Sequence, residues 1–395
     1  MMNGDKQLLK EWDIKKLGEV CEVIAGQSPE GRYYNNKEEG LPFYQGKKEF
    51  TKKYIGKPKK WTTKVTKEAL KDDILISVRA PVGPINYSTQ KICIGRGLAA
   101  IRASGKIERE YLYNFLVKHE NEIVGNTGAV FNSINKSQIG AIQIPLPPLS
   151  EQKRIVSILD KAFKAINLAK TNAEQNLKNA KELFESYLYN IFENKGDDWV
   201  EKKLREVCEI QLGKTPYRKT QSFWDRDKET SNVWLSIADM KHGEELFDSK
   251  EYISDLGVKN IKYVPKDTLM LSFKLTLGRV SFSGKDLFTN EAIASLVKLS
   301  PKVDKKFLFY YFSFFDWHKE TEGDQKVKGR TLNKEKLKSL SIIVPSLPEQ
   351  KQIVKKLDAL QTQTKKLETL YQQKINNLVE LKKSVLQKAF AGELT

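Results

Sequence analysis

Apolar residues recur at alternating steps of four and three along one stretch of the chain: Ile155, Leu159, Ala162, Ile166, Ala169, Ala173, Leu177, Ala180, Phe184, Tyr187 and Ile191. This spacing predicts a long helix, residues 149 to about 194, with a single heptad seam. The same seam returns without gaps 198 residues later, from Leu347 to the C-terminus. One step of four follows another at Ala173 to Leu177, and again at Tyr371 to Ile375, interrupting the heptads like a stutter. Thr364 and Lys382 put polar groups into the second seam. Neither stripe has an obvious globular stretch nearby to cover it, so each is expected to bury against the other. About 45 residues at 1.5 Å rise make a rod of roughly 65 Å, which suits a spacer better than the core of one small domain.

The stretches before the two helices also match each other. Trp12 to Val23 aligns with Trp199 to Ile210 at a shift of 187, with Leu17, Val20 and Cys21 falling on Leu204, Val207 and Cys208. The chain is therefore one unit written twice, a globular part and then a helix. In the first globular part, strands are predicted at Val20 to Ala25, Asp73 to Gly83, Ile92 to Ile101 (broken at Gly95 and Gly97) and Ile139 to Leu146. A short amphipathic helix is predicted at Tyr111 to Lys118, and a loop of small residues at Gly125 to Phe131. Pro145, Pro147 and Pro148 close the last strand and launch the long helix, with Ser150 the expected cap. In the second part, Asp267 to Gly278 repeats the strand and turn, and Phe307 to Phe315 repeats the short helix. The reading is an α+β chain of four segments: a globular domain at 1–148, a spacer helix at 149–195, a second globular domain at 196–346 and a second helix at 347–395. The helices pack as an antiparallel coiled coil with approximate two-fold symmetry.

Charge narrows the function. Lys and Arg number 68 against 50 Asp and Glu, a net charge of +18. Such an excess points first to nucleic acid, then to an anionic membrane surface or an acidic protein. Residues 47 to 67 hold nine Lys and one Glu, interleaved with Phe50, Tyr54 and Trp61. The corresponding stretch of the second part is balanced in charge. One scaffold with two different loop sets suggests one task performed on two targets. Cys21, Cys93 and Cys208 have no metal-ligand spacing and read as core residues in a reducing cytoplasm. No signal peptide is expected at the polar N-terminus, and no run of 18 apolar residues occurs. Gly213-Lys214-Thr215 lacks the first Gly of a phosphate loop. Glu151-x-Lys153 and Glu349-x-Lys351 echo nuclease spacing, but lie in a helix's first turn with no carboxylate partner. No catalytic set emerges.

The helix entries carry a resemblance. Pro145-Leu146-Pro147-Pro148-Leu149-Ser150-Glu151-Gln152-Lys153-Arg154-Ile155-Val156, with Leu159-Asp160, recurs as Val344-Pro345-Ser346-Leu347-Pro348-Glu349-Gln350-Lys351-Gln352-Ile353-Val354, with Leu357-Asp358. With the opening Trp12 to Cys21 and the closing Ser384 to Leu394, the whole chain resembles the specificity subunit of Type I restriction-modification enzymes.

That resemblance implies two target recognition domains, each reading half of a split site in double-stranded DNA, and no catalysis in this chain. The helix pair would set the gap and dock two methyltransferase subunits, and a motor-nuclease subunit would join them. No cofactor is implied here; S-adenosylmethionine belongs to the methyltransferase, ATP and Mg to the motor-nuclease. Arg79, Arg96 and Lys47 are the expected base-reading residues of the first half, with Lys48, Lys52, Lys53, Lys59 and Lys60 on phosphates. Lys274, Arg279 and Arg330 are those of the second half. Replacement of Arg79-Ala80-Pro81 by Lys274-Leu275-Thr276 implies different reading at the two turns. Gln152, Arg154, Gln350 and Gln352, with the outer helix faces, are the expected docking surface. Two alternatives stay open: a recognition subunit whose single partner chain both methylates and cleaves, and a non-enzymatic coiled-coil scaffold.

Overall fold

The computed structural model describes residues 12–120, 123, 133–259, 261–317, 319, 325–326 and 329–394. Two helices dominate it, the central helix Leu149–Glu193 and the C-terminal helix Leu347–Phe390. The chain divides into two compact units. Unit 1 is Met1–Gln175 with Tyr371–Thr395, and unit 2 is Asn176–Leu370. Each unit holds one globular part, the start of the helix that follows it and the end of the other long helix.

In unit 1 a ribbon pairs Asp13–Lys16 with Gln143–Leu146. An antiparallel sheet runs in the order Cys21–Ala25, Leu98–Ala103, Ile74–Ser77, Ile85–Tyr87. A second, mixed sheet has Leu41–Tyr44 parallel to Ile92–Ile94, flanked by short strands. Both sheets read as apolar runs because both faces are covered: Ile74, Leu75, Ile76, Ile92 and Ile94 are wholly buried. The short helix Arg109–Lys118 turns Tyr111, Leu112, Phe115 and Leu116 into the core, with its first turn capped by the Glu108 carboxylate. The expected strand at Ile139 to Leu146 is half right. Lys136–Gly140 is a turn of helix closed by a capping box between Asn135 and Gln138, and the strand begins at Gln143. Asn and Gln three apart satisfy each other's backbone donors, and that local bonding outweighs the apolar pattern. The loop expected at Gly125 to Phe131 lies outside the described residues.

Unit 2 follows the same plan. Val200–Lys203 pairs with Ser341–Val344, and a mixed sheet runs in the order Glu209–Leu212, Ile293–Val297, Leu269–Ser272, Val280–Ser283, Glu245–Leu246. The short helix is Lys305–Phe314. Equivalent backbone bonds recur, Leu17 N–H to Ile142 O and Leu204 N–H to Leu340 O, each 2.9 Å.

The long helices pair antiparallel within each unit, as expected, but the ends of their seams are not covered by each other alone. Those ends are core residues of the globular parts. In unit 1, Ile155 and Leu159 from the central helix meet Leu386, Ala389 and Phe390 from the C-terminal helix within one hydrophobic cluster that includes Tyr111 and Phe115. The two helices run antiparallel there. In unit 2 the roles exchange: Ile353, Val354 and Leu357 meet Leu188 and Phe192 around Phe307 and Tyr311. Phe390 packs 5.0 Å from the Tyr111 ring, and Phe192 packs 5.6 Å from the Phe307 ring. The helix cap is Pro148 rather than Ser150, since its carbonyl takes the Glu151 and Gln152 N–H groups. Ser346 stands there in the second copy, with its carbonyl accepting from Gln350 N–H at 2.9 Å.

Candidate nucleic-acid interface

Unit 1 holds its Lys-rich loop in a fixed shape. The loop leaves the strand Leu41–Tyr44 and makes a 3-10 turn at Lys47–Glu49. Asn86, buried beneath it, accepts from Thr51 N–H (2.8 Å) and donates to Thr51 O (2.9 Å). Gly56 N–H donates to Glu49 O at 2.7 Å, and Tyr44 OH donates to Gly56 O at 2.9 Å. Lys48, Lys52, Lys57, Lys59 and Lys60 are exposed on this frame, and Lys47 is half-buried. Lys53 turns inward. Its ammonium pairs with Glu110 at 3.0 Å and lies over the rings of Tyr54, Tyr87 and Tyr113.

Arg79, Arg96 and Lys47 sit on turns that are hydrogen-bonded neighbours. Val78 N–H donates to Gly97 O (3.0 Å), Gly97 N–H to Gln45 O (3.0 Å) and Gly95 N–H to Tyr44 O (2.8 Å). Glycine is required on both sides of Arg96. A Cβ at Gly97 would stand 2.4 Å from Gln45 O, and one at Gly95 would stand 2.9 Å from Gln45 Cα. The close approach leaves Arg96 at the tip of the turn, exposed, as Arg79 is on its own.

Beside this turn cluster lies an aromatic and cationic patch, of which charge counting had singled out only the lysines. Tyr34 stacks on Phe43 with ring centroids 4.7 Å apart. Lys60 lies 5.7 Å over Tyr34, while Lys64 and Arg32 each lie 5.0 Å from the centre of the Tyr33 ring.

Unit 2 uses the same place differently. Trp224, which like Tyr34 follows a 3-10 turn, packs edge-on against Trp234 at 5.1 Å. The Arg218 guanidinium lies 4.1 Å from the centre of the Trp224 ring and 4.8 Å from that of Trp234, and forms an ion pair with Glu251. A guanidinium held in the corner between two perpendicular indoles keeps its charge and loses little freedom on binding. Around it a notch of about 320 Å³ is lined by Arg218, Gln221, Trp224, Arg226 and Lys250 among others. Trp224 Nε1 is buried there with no hydrogen-bond acceptor among the described residues. Arg218, Arg226 and Lys250 were missed because the charge of this stretch balances. The available clue was Arg218 and Lys219 beside Tyr217, just before Trp224.

One expectation for unit 2 changes. Arg279 is half-buried and donates to Ile237 O (3.2 Å) and Met240 O (3.3 Å), so its guanidinium is spent tying a loop to the sheet. Its position beside a turn resembled Arg79, but a buried run of carbonyls claims it. Lys274 is half-buried with its ammonium 5.3 Å from the Phe273 ring. The backbone of Arg330 pairs with Leu275, and its side chain lies outside the described residues.

The helix entries also correct the docking expectation. Gln152 and Gln350 are both fully buried. Gln152 accepts from Glu108 N–H (2.7 Å) and donates to Pro147 O (2.8 Å) and Lys106 O (3.4 Å). Gln350 accepts from Asp304 N–H (2.7 Å) and donates to Pro345 O (2.8 Å) and Lys302 O (3.0 Å). Each amide locks the cap of a short helix to the entry of a long one, a use that leaves no surface for a partner. Arg154 is clasped by Glu151 (2.7 and 2.8 Å) and donates to Leu394 O at 2.7 Å. Gln352 is exposed. So are apolar side chains on the long helices, Leu168, Leu183 and Tyr189 on the central one and Leu370 and Leu381 on the other.

The remaining chemistry is structural. Burial pushes the Cys21 and Cys208 thiols up to about 12. Among the described residues no group of three His, Cys, Asp or Glu is placed to hold a metal ion. Among them, too, no helix is long and apolar enough to cross a membrane.

The fold is that of HsdS subunits of type I R-M systems. A chain from a structure of the type I R-M system superposes with a TM-score of 0.78 at 20% identity, covering 97% of this chain and 98% of that one. The HsdS subunit from Thermoanaerobacter tengcongensis gives 0.67 at 19% identity, covering 97% of each. The sequence goes further, because the Type I restriction modification DNA specificity domain matches at residues 9–179 and again at 196–377, and the chain belongs to that family. Among curated relatives, the MjaIX specificity subunit of Methanocaldococcus jannaschii is 23% identical over 98% of this chain and 94% of its own length. The EcoBI specificity subunit of Escherichia coli is 22% identical over 100% of this chain and 88% of its own. The putative MjaX specificity subunit of M. jannaschii is 40% identical over 182 residues, 45% of this chain and 42% of that protein. The chain is thus a DNA specificity subunit of a type I restriction-modification system, and recognition rather than catalysis is its part.

Proposed function

We propose that each unit reads one half of a split DNA site, and that the number of helical turns between the units fixes the unread gap. The observation that carries this reading is one scaffold bearing two different cation-aromatic faces. In the first half, Lys47, Arg79 and Arg96 read bases while Lys48, Lys59 and Lys60, helped by Arg32 and Lys64, hold phosphates. In the second half, Arg218, Arg226 and Lys250 do this work with Lys274 and Arg330. Two methyltransferase subunits, which bring S-adenosylmethionine, dock on the exposed apolar positions of the long helices. A motor-nuclease subunit using ATP and Mg completes the complex, which acts in the cytoplasm.

Modification-sensitive sequencing of a host carrying this chain with its methyltransferase, against a host lacking the chain, tests the reading. A split motif that loses methylation in the deletion supports it; an unchanged methylome overturns it. Removing one heptad from each long helix, roughly 10 Å of rise, is expected to change the gap or abolish modification. A motif that keeps its gap in that variant sinks the spacer role.

A further inference from the structure

The two units differ at one place where their frames coincide. Gln152 and Gln350 anchor the N-cap residues of the short helices, Glu108 and Asp304, which sets the equivalence of those helices. On it, Glu110 corresponds to Lys306 and Asn114 to Tyr310. The repeat of the long helices makes Asp160 correspond to Asp358 and Lys382 to Phe184.

Unit 2 fills the crevice between its short and long helices with its own side chains. Tyr310 OH donates to Asp358 at 2.7 Å, Lys306 reaches the same carboxylate at 2.8 Å, and Phe184 packs 6.2 Å from the Tyr310 ring. Unit 1 has none of these plugs. Glu110 is drawn away to Lys53, and Asn114 folds back onto Glu110 O at 2.9 Å. What remains is a cleft of about 750 Å³ with apolar walls that include Phe50, Ile85, Val117 and Phe163. Asp160 lines it, as do Lys52, Lys164 and Lys382, and none of the four has a partner among the described residues except the Phe163 ring, 4.9 Å from Lys382. Burial, with Lys52 and Lys170 nearby, holds Lys382 below the usual lysine range.

We propose that this cleft, in unit 1 alone, receives a segment of a protein partner that presents a hydroxyl or ammonium donor to Asp160, carboxylates to Lys52, Lys164 and Lys382, and an apolar side chain between them. Unit 2 shows the donor half of that arrangement made within one chain, by Tyr310 and Lys306. A DNA backbone fits worse, because it carries only acceptors for Asp160 to meet and no side chain for the apolar walls. On the proposed assembly with methyltransferase subunits, on which this inference rests, the two docking ends are unequal, and unit 1 holds its copy by an added contact.

The test titrates the full chain with its methyltransferase and measures both association steps by native mass spectrometry. Asn114→Tyr copies the plug of unit 2, and Asp160→Asn removes the acceptor with little change of volume. Both are expected to weaken one step at least tenfold, to leave the other unchanged, and to preserve the unfolding midpoint and the affinity of the chain for DNA. Tyr310→Phe in unit 2 is expected to change neither step. Two unaltered steps in both cleft variants overturn the inference while leaving the functional reading intact. Loss of DNA affinity in Lys164→Met or Lys382→Met with normal methyltransferase uptake also overturns it, in favour of a phosphate site. A wild-type chain that takes up no methyltransferase overturns both.

Discussion

Single residues divide here into those that hold the frame and those left free to touch a ligand. Gln152 is the clearest holder. Gln152→Leu strands the buried Pro147 carbonyl and leaves the partly buried bonds to Glu108 N–H and Lys106 O unmade, and unsatisfied buried groups cost about 1–3 kcal/mol each. A loss of about 3 kcal/mol confined to unit 1 is expected, read by denaturant unfolding with a fluorophore in each unit. His242 gives a pH handle on unit 2. Burial lowers its pKa from 6.5, with Nδ1 accepting from Val280 N–H at 3.4 Å and Nε2 next to Ser313 Oγ at 3.1 Å. The neutral ring is the folded form, so the unfolded chain binds more protons near and below pH 6.5. Stability is therefore expected to fall as pH drops through the folded-state pKa, and His242→Gln to flatten that part of the profile. An unchanged pH profile in the variant would show that the ring does not couple to folding. Cys21 and Cys208, raised by burial, are expected to resist a thiol reagent at pH 8 until the chain is unfolded.

At the scale of elements, loops carry specificity and strands carry the loops. Lys59 and Lys60 ride on a loop pinned by Asn86, and their joint change to Ala is expected to weaken binding to all sequences alike. It should also reduce the slope of log affinity against log salt by about one for each phosphate that is no longer neutralised. Arg218→Ala is expected to act selectively, relaxing preference in one half-site by about 1–3 kcal/mol. Arg279→Ala should lower stability instead, since its hydrogen bonds go to the fold. Binding measured on a panel of half-site variants separates the three. Elements of this kind were largely legible from sequence. The heptad seam, the prolines before each long helix and the glycines around Arg96 all write their geometry locally. Partners reached across space were not. Nothing near Gln152 says that Glu108 N–H will find it, and nothing near Arg279 says that two carbonyls of a distant loop will. The Arg218 site stayed hidden for the opposite reason, because Glu251, which neutralises it, also erased it from a charge count.

For the whole molecule, the exchange of helix ends matters most. Leu386, Ala389 and Phe390 belong to the core of unit 1, more than 200 residues from the rest of it. Truncation after Leu381 removes all three, and large core side chains are worth about 2–5 kcal/mol each. Limited proteolysis of that variant is expected to degrade residues 12–148 while residues 199–346 persist; equal resistance of both would show that the helix end is dispensable. The same exchange sets an order of assembly during translation. The globular part of unit 1 leaves the ribosome before that of unit 2 but closes after it, since it must wait for residues 386–390. Until then its apolar face stands open to chaperones and to the nascent chains of neighbouring ribosomes. A gene broken within the codons for residues 382–390 would thus lose the reader encoded by residues 12–148, and keep the other.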